Sequence, residues 1–481
     1  MKTKKIVALM LSLAMVVGFV AACGSTEETT DETTTAASET EAEETEAEES
    51  EETEAEGEET EAKETEAEAS TGDYTELTVA EVADEGDELV IWDWNDEGVG
   101  LVAAYSDVAA TGDIVGGSDV YQSLLDAALS SGEEAPDMYF LEADYAKKYM
   151  NSSDTLSLND LGISYSEFVD DMYAYTMDAA TDDDGVIKAL TWQCTASGVY
   201  YNRSVAADTL GVSEPADVAP YFESWDAFLD AARTVNEASK GEKKIVAGYD
   251  EIWRSYLNTR TSAWIVDGAL NIDPVMDDYF DIAKTLYDEG LTFEASQWGE
   301  GWYGGMDNET VLSYWGPMWL ANNGCLSLAN FKDGGLGDNK TTGDWGMVAA
   351  PVDFFWGGTW IAATKYCDMK ASAAQVIRDL CIDADNLDAM ARAGGFSNSK
   401  SVMEAIAGDS SFGYEFLGGQ NPYDILMGVA DGIDFSTVTP NDQSINDAFT
   451  AAVASYVQGD VESVADAKAS FQAAVADLGV I

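Results

Sequence analysis

Blocks of apolar residues with two different spacings follow one another along the chain beyond residue 72. Residues 89–94 are largely apolar and predict a strand. Apolar residues at helical spacing predict a helix over residues 121–129. A short apolar run predicts a strand at 137–141, followed by a helix at 143–150. This alternation of strand and helix predicts an α/β fold with crossover connections.

The beginning of the chain has a different pattern. A basic start is followed by an apolar run over residues 6–22, and small residues precede Cys23. This combination resembles the bacterial lipobox, in which the chain is cut before the Cys and the thiol is acylated. We therefore expect residues 1–22 to be a signal peptide and Cys23 to carry a lipid that anchors the protein at the outer face of the cell membrane. An ordinary signal peptide, in which Cys23 is incidental, is the alternative.

Residues 24–72 are dominated by Glu, Thr, Ala and Ser and contain almost no large apolar residue. Such a segment cannot bury enough apolar surface to offset the entropy of ordering, and its like charges repel one another. We expect residues 23–72 to form an acylated, disordered, acidic tether. The remaining residues 73–481 are too many for one typical core and suit two lobes.

Composition excludes several classes of function. The chain has no His, which removes Ser-His-Asp and Cys-His hydrolases and every His-ligated zinc centre. Its net charge of −68 argues against nucleic acid as a partner. Chemistry by a pair of carboxylates needs no His and stays open. Binding is therefore favoured over catalysis, and we expect no cofactor.

The cysteines beyond Cys23 are widely spaced and contain no Cys-x-x-Cys motif. A location outside the cell permits disulfides, while buried free thiols are the alternative. The sequence leaves the state of four cysteines open: Cys194, Cys325, Cys367 and Cys381.

One acidic run, residues 182–184, offers oxygen ligands for calcium. It lacks the spacing of a calcium loop, including the distal Glu. We interpret it as a solvated turn, with calcium as the alternative, and expect no metal site.

Several motifs in collinear order resemble those of family 1 extracellular solute-binding proteins, the maltose-binding-protein-like receptors of carbohydrate ABC importers. They are the opening strand at 88–92, the Ala-Pro-Asp at 135–137, the strand at 198–202, the helix start at 224–228, the aromatic turn at 313–319, the late crossover at 346–351 and 357–359, and the closing helices at 451–478. Two departures stand out. Residues 190–194 lack the Pro that the family carries there, and Met318 replaces a Trp of the turn.

The resemblance implies a two-lobed periplasmic-binding-protein-like fold of type II, with a hinge between the lobes. We expect residues 73–193 and 306–355 to form one lobe and residues 198–305 and 356–481 to form the other. It also implies a receptor and not an enzyme, which captures a carbohydrate, expected to be an oligosaccharide, and delivers it to the membrane subunits of an ABC importer.

The candidate site combines aromatic faces, which cover the C–H patches of a sugar ring, with acids and amides, which bind its hydroxyls. Residues 94–96 leave the carboxyl end of the first strand, where open α/β sheets bind ligands. The resemblance also implies hydroxyl-binding acids at Asp96 and Asp144. The candidates are Trp94, Asn95, Asp96, Glu142, Asp144, Gln193, Trp253, Trp298, Trp302, Trp315 and Trp356.

Two other functions stay open at this point. An exported glycoside-active enzyme would use paired carboxylates, and a surface adhesion protein would bind without import. Glycan hydrolysis would support the enzyme, and a cleft between facing lobes would separate a receptor from an adhesin.

The expected anchor gives a first prediction. The change Cys23→Ala removes the thiol that would be acylated, so the protein should move from the membrane fraction to the soluble fraction and lose metabolic labelling with a palmitate analogue. Fractionation with in-gel detection of the lipid label measures both effects, and Cys367→Ala is the control. A Cys23→Ala protein that still carries the lipid would contradict the assignment.

Overall fold

A computed structural model of the protein describes residues 74–322, 331–332, 335–336 and 341–481. These residues belong to one structural unit. The expected signal peptide, Cys23, the tether and Cys325 lie outside them. No helix in the described part of the chain is long and apolar enough to cross a membrane.

Short strands alternate with helices along the chain, as the spacing of apolar residues predicts. The strands are β1 (Leu89–Asp93), β2 (Ala110–Ile114), β3 (Met138–Glu142), β4 (Ala189–Leu190), β5 (Gly198–Asn202), β6 (Ile265–Val266), β7 (Ala269–Leu270), β8 (Ser313–Gly316), β9 (Phe331–Lys332), β10 (Gly335–Leu336), β11 (Trp345–Val348) and β12 (Thr359–Ala363).

The helices lie between these strands and at the carboxyl end of the chain. They are α1 (Glu97–Tyr105), α2 (Ser118–Ser131), α3 (Ala143–Met150), α4 (Ala174–Ala179), α5 (Arg203–Leu210), α6 (Pro215–Val218), α7 (Trp225–Ala238), α8 (Trp253–Leu257), α9 (Val275–Asp288), α10 (Glu300–Asp307), α11 (Met318–Asn322), α12 (Lys370–Cys381), α13 (Ala384–Arg392), α14 (Lys400–Ala407), α15 (Tyr423–Gly432), α16 (Asp442–Gln458) and α17 (Val464–Asp477). Single-turn 3-10 helices cover Asn159–Leu161, Tyr165–Glu167, Ala219–Tyr221, Tyr249–Ile252 and Glu415–Leu417.

The first sheet has the strand order β2-β1-β3-β12-β4. Strand β1 is parallel to β2 and β3, whereas β12 is antiparallel to β3 and β4. The apolar run Met138–Leu141 of β3 is buried along its whole length, as is usual for a central strand covered on both faces. The strands predicted at 89–94 and 137–141 and the helix predicted at 143–150 are thus confirmed.

The second sheet has the order β11-β5-β8, and its pairs are antiparallel. Every residue of these three strands is buried. One core beside this sheet centres on Phe449 of α16, which contacts Trp253, Trp264 and Phe280. Helices α9, α16 and α17 enclose this second core.

The two sheets correct part of the expected division into lobes. We expected residues 306–355 to join residues 73–193, but β8 and β11 pair with β5 in the second sheet. We expected residues 356–481 to join the second lobe, but β12 pairs with β3 and β4 in the first sheet. The strand partners are set by backbone pairing between distant segments, which local apolar patterns do not encode. Helices α16 and α17 pack in the second core together with residues of the second sheet.

Residues 191–197 and 349–358 connect the two sheets, and residues 433–441 connect α15, in the first core, to α16, in the second. We call these three segments together the hinge. The first two segments run antiparallel, with a bridge between Ala196 and Phe355. The Ser197 N–H donates to the Phe354 carbonyl at 2.9 Å. The ring of Phe435, in the third segment, lies 5.3 Å from the ring of Phe355. All three segments therefore meet at one place.

The hinge also contains one of the cysteines. Cys194 is buried, and its Sγ accepts a hydrogen bond from the Tyr175 hydroxyl at 3.3 Å. Burial raises the pKa of the Cys194 thiol to about 12. Cys367 and Cys381 are buried free thiols as well, so the alternative of free thiols holds for the described cysteines.

A buried ion pair ties the third hinge segment to the second lobe. The Arg260 guanidinium donates to the Asp442 carboxylate at 2.7 Å, and the two side chains are only 1% and 3% exposed. The guanidinium also lies over the ring of Trp264. The second Asp442 oxygen accepts bonds from the backbone N–H and the hydroxyl of Thr439. Asp442 thus binds the Arg260 guanidinium and also stabilises the turn that begins at Thr439.

Removing one partner of this pair leaves a buried charge without compensation. We predict that Asp442→Ala lowers the free energy of unfolding by about 3–5 kcal/mol, measured by urea denaturation. The more exposed pair Lys284–Asp288, at 2.9 Å, has side chains that are 27% and 55% exposed and supplies the control: Asp288→Ala should cost less than about 1 kcal/mol. Equal losses in the two variants would show that the burial of the pair has no special effect.

Candidate functional site

The carboxyl ends of β1 and β3 lie at the same edge of the first sheet because the strands are parallel. Trp94 follows β1, is half-buried, and packs edge-to-face on Tyr121 and Tyr145 at 5.7 and 6.4 Å. Asn95 and Asp96 beside it are exposed. The predicted group at residues 94–96 therefore stands at the end of the strand, as expected.

The turn after β1 is held by a buried carboxylate that sequence inspection overlooked. Asp93 is 1% exposed and accepts hydrogen bonds from the backbone N–H groups of Trp94 and Val99, at 2.8 and 3.2 Å. Burial raises the pKa of Asp93 to about 6, although the backbone donors act in the opposite direction. This carboxylate fixes the direction in which Trp94 leaves the strand.

At the end of β3, two acids begin helix α3. The Glu142 carboxylate caps the helix by accepting a bond from the Asp144 N–H at 2.7 Å. Burial, and then the neighbouring Asp144 charge, raise the pKa of Glu142. The backbone next to Glu142 is also fixed, because the Ala143 N–H donates a hydrogen bond to the Gly358 carbonyl in the hinge.

Asp144 makes an ion pair across the two lobes. Both of its carboxylate oxygens accept from the Arg254 guanidinium, at 2.5 and 2.6 Å. Arg254 lies on α8, which belongs to the second core, whereas Asp144 lies on α3 beside the first sheet. Such a bidentate contact is directional, so it fixes the approach of the two lobes at this point.

A cluster of four indole rings lies on the other side of Glu142, and we call it the tryptophan cluster: Trp298, Trp302, Trp319 and Trp356. Trp298 lies 5.1, 6.0 and 5.7 Å from the other three ring centroids in that order. Trp319 meets Trp356 edge-on at 4.8 Å, and its indole N–H donates to the Trp356 carbonyl at 3.2 Å. Trp298 is 51% exposed, whereas Trp302 and Trp356 are buried.

Gly357 brings the cluster and the carboxylate together. Its φ of +65° is in the left-handed region, which favours glycine. A β-carbon built on Gly357 would lie 3.4 Å from Glu142 Oε1 and 3.7 Å from Trp319 Nε1. The Glu142 carboxylate and the Trp319 indole therefore both lie next to Gly357, which has no side chain to separate them. This arrangement suits a ligand that has both hydroxyls and C–H faces.

The structure thus brings together Glu142, Asp144, Trp298, Trp302 and Trp356 from the predicted set, with Trp94 at the neighbouring strand end. Sequence reasoning did not select Trp319 or Arg254 as site residues. Trp319 lies in the same aromatic turn as Trp315, and Arg254 directly follows Trp253. The sequence therefore indicated the right two segments, but Trp315 and Trp253 were selected in place of Trp319 and Arg254.

Three predicted residues lie elsewhere. Trp253 stacks on Phe449 at 5.6 Å in the second core. Trp315 is 1% exposed and stacks on Trp225 at 5.7 Å and 7°. Gln193 lies in the first hinge segment and bridges to Ser397. The contacts of Trp253 and Trp315 are those of core residues, and neither ring contacts the tryptophan cluster.

The acidic run at 182–184 forms a turn. One oxygen of Asp182 accepts from the N–H groups of Asp184 and Val186, and the other pairs with Lys188 at 3.1 Å. Within the described residues, no group of three or more acids or cysteines is placed to hold a metal ion.

A buried glutamate holds one ring of the tryptophan cluster by a hydrogen bond. Glu251 is 2% exposed, and its two oxygens accept from the Trp315 backbone N–H at 2.9 Å and the Trp302 indole N–H at 2.6 Å. Burial raises the pKa of Glu251 to about 8. Trp302 therefore serves to anchor the cluster through its own indole N–H.

Comparisons with known proteins identify the family and the fold. Residues 114–410 match the family described as bacterial extracellular solute-binding protein. No curated protein sequence matches the chain. Among solved structures, an extracellular solute-binding protein of family 1 is 18% identical, with a TM-score of 0.66 over 82% of this chain and 100% of its own.

Two further structures carry ligands. An ABC transporter associated binding protein from B. animalis subsp. lactis, in complex with beta-1,6-galactobiose, is 19% identical, with a TM-score of 0.63 over 82% of this chain and 97% of its own. The galacto-N-biose-/lacto-N-biose I-binding protein from Bifidobacterium longum, in complex with lacto-N-biose, is 16% identical, with a TM-score of 0.63 over 82% and 98%. The fold is therefore that of the two-lobed α/β binding proteins, as expected.

The buried position of Glu251 predicts a dependence of stability on pH. An unfolded Glu releases its proton near pH 4.5, and the folded one near pH 8, so the unfolded state loses its proton first as the pH rises. The free energy of unfolding should therefore fall between about pH 4.5 and 8, with a contribution from Glu251 of at most about 1.4 kcal/mol per pH unit.

We predict that Glu251→Gln removes this part of the slope, so that the difference in stability between the two proteins shrinks from pH 5 to pH 8. Urea denaturation at a series of pH values measures it, and Glu237→Gln, an exposed change of the same kind, is the control. Parallel pH profiles of the Glu251→Gln and unaltered proteins would contradict the prediction.

Proposed function

Because this chain belongs to the bacterial extracellular solute-binding proteins, we propose that it captures a carbohydrate outside the cell and delivers it to an ABC importer. The observation that carries the proposal is the tryptophan cluster, bordered across Gly357 by the Glu142 carboxylate. Aromatic faces next to carboxylate oxygens suit a sugar, since its ring has both C–H faces and hydroxyls.

An oligosaccharide is the ligand that best suits the extent of this surface. It reaches from the tryptophan cluster past Glu142 to the pair Asp144–Arg254. The disaccharides bound by the two bifidobacterial proteins of the same fold support this choice. The cavity beside Asp144 and Arg254 is about 20 Å³, enough for about one water molecule. A sugar therefore needs the lobes to part before it can enter.

Lobe movement gives the receptor its signal. Ligand that contacts both lobes favours the closed form, and the hinge lets the two sheets rotate relative to one another. In this proposal Asp144 and Arg254 stabilise the closed form directly, because their ion pair exists only when α3 and α8 are in contact. The importer would recognise the closed form.

The anchor is part of the same proposal. Acylated Cys23 would hold the protein at the outer face of the membrane, and the acidic residues 24–72 would hold the lobes away from it. Membrane surfaces with anionic lipids repel a chain with a net charge of −68, which favours an extended tether.

The enzyme alternative has an obvious candidate pair in Glu142 and Asp144. Both oxygens of Asp144 are held by Arg254, and Glu142 caps a helix, so the geometry favours positions fixed for binding. We propose a receptor without catalytic activity. Incubation of oligosaccharides with the purified protein, followed by chromatography, should return them unchanged.

The sharpest test is the loss of one stacking surface. We predict that Trp319→Ala weakens binding of an oligosaccharide, chosen from a screen by thermal shift, by about tenfold to a hundredfold, corresponding to about 1–3 kcal/mol of lost contact. Titration calorimetry measures the affinity, and a melting curve checks the fold.

Trp225→Ala is the matched control. Trp225 is also half-buried, but it stacks on Trp315 and Tyr256 in the second core. Its loss should lower the melting temperature and leave the affinity unchanged. If Trp319→Ala binds as tightly as the unaltered protein, the proposed site is wrong.

A further inference from the structure

The loop between α9 and α10 has an unusual backbone. Its residues Gly290, Glu294 and Trp298 have φ values of +62°, +57° and +66°. The left-handed region is unfavourable for a residue with a β-carbon, so a bulky residue stays there only when other contacts compensate. The contacts of Trp298 must therefore supply that compensation.

Those contacts are aromatic. The Trp298 indole is 51% exposed, yet it lies nearly parallel to Trp319, with an interplanar angle of 14° and a centroid distance of 6.0 Å. This is the offset stacked arrangement that two aromatic rings prefer. One face of Trp319 is thus partly covered by a residue of the chain itself.

Trp319 is held more firmly than the ring that covers it. Its indole N–H donates to the Trp356 carbonyl, and its edge borders Gly357 beside Glu142. Trp298, by contrast, is 51% exposed, and its loop is held by bonds from the Gln297 N–H to the Asp250 carboxylate at 3.0 Å and from the Gly299 N–H to the Ser296 carbonyl at 3.1 Å. If either ring moves, it is Trp298.

We propose that the covered face of Trp319 is a ligand subsite, which takes the C–H face of a sugar ring, and that Trp298 occupies it when no ligand is bound. Trp298 has to leave this face before the sugar can stack. Trp298 is therefore a competitor of the ligand and lowers its affinity. The sugar as ligand rests on the proposed function, whereas the covering of Trp319 does not.

The change Trp298→Ala tests the proposal because it removes the competitor. We expect the affinity for an oligosaccharide to rise by about three- to tenfold, and association to become faster, since an offset ring pair contributes about 0.5–1.5 kcal/mol. Calorimetry and stopped-flow fluorescence measure the two effects. An unchanged or weakened affinity would overturn the proposal, since a ring that contacts the sugar would lose affinity when deleted.

Phe293→Ala is the matched control, since Phe293 is an exposed aromatic residue of the same loop and packs under Lys244. It should leave the affinity unchanged. A rise in affinity equal to that of Trp298→Ala would mean that general loosening of the loop is the cause, and would overturn the proposal.

A second measurement needs no ligand. In protein labelled with 5-fluorotryptophan, the ¹⁹F resonance of Trp319, identified by its absence in Trp319→Phe, should shift towards the position of a solvent-exposed indole in Trp298→Ala. An unchanged resonance would show that Trp298 does not cover Trp319. If no saccharide binds the unaltered protein, the carbohydrate proposal fails, and the ¹⁹F result alone decides whether the face is covered.

Discussion

The antiparallel backbone pairing of β3 with β12, continued by the two hinge segments, is the constraint on which the site depends. The register sets Glu142 opposite Thr359, and the Ala143 N–H then bonds to the Gly358 carbonyl. Trp356 and Gly357 immediately precede Gly358 and Thr359. The backbone pairing of β3 with β12 therefore also fixes the Glu142 carboxylate beside the tryptophan cluster. The candidate site therefore lies at the place where the chain passes from one lobe to the other.

Individual strands and helices could be predicted from the sequence, because they depend on the residues of one short segment. The helix predicted at 143–150 coincides with α3, and the strand at 198–202, which the family resemblance implies, coincides with β5. The assignment of residues 306–355 failed, since pairing with β5 depends on contacts across more than a hundred residues. The tryptophans show the same limit. Trp315 and Trp319 are four residues apart, yet one faces the second core and the other the cluster, and no local pattern distinguishes the two.

The acids of the protein act in two ways that the net charge does not reveal. In the described part of the chain most acids are exposed, but Asp93 and Glu251 are buried and accept hydrogen bonds from backbone or indole N–H groups. They position Trp94 and Trp302 and so serve as structural acceptors near the site. Asp144 differs from them because its partner is a cation in the other lobe. A chain so rich in acids uses few of them where a ligand would bind, and each of those few has a distinct set of partners.

The buried thiol of Cys194 has a consequence for the conditions that the protein can tolerate. Oxidants attack the thiolate, and burial keeps the Cys194 pKa near 12, so almost no thiolate exists at neutral pH. The hinge segment that contains it is held by hydrogen bonds and ring contacts instead of a covalent crosslink. A change in redox potential should therefore leave the contacts of this hinge segment unaffected.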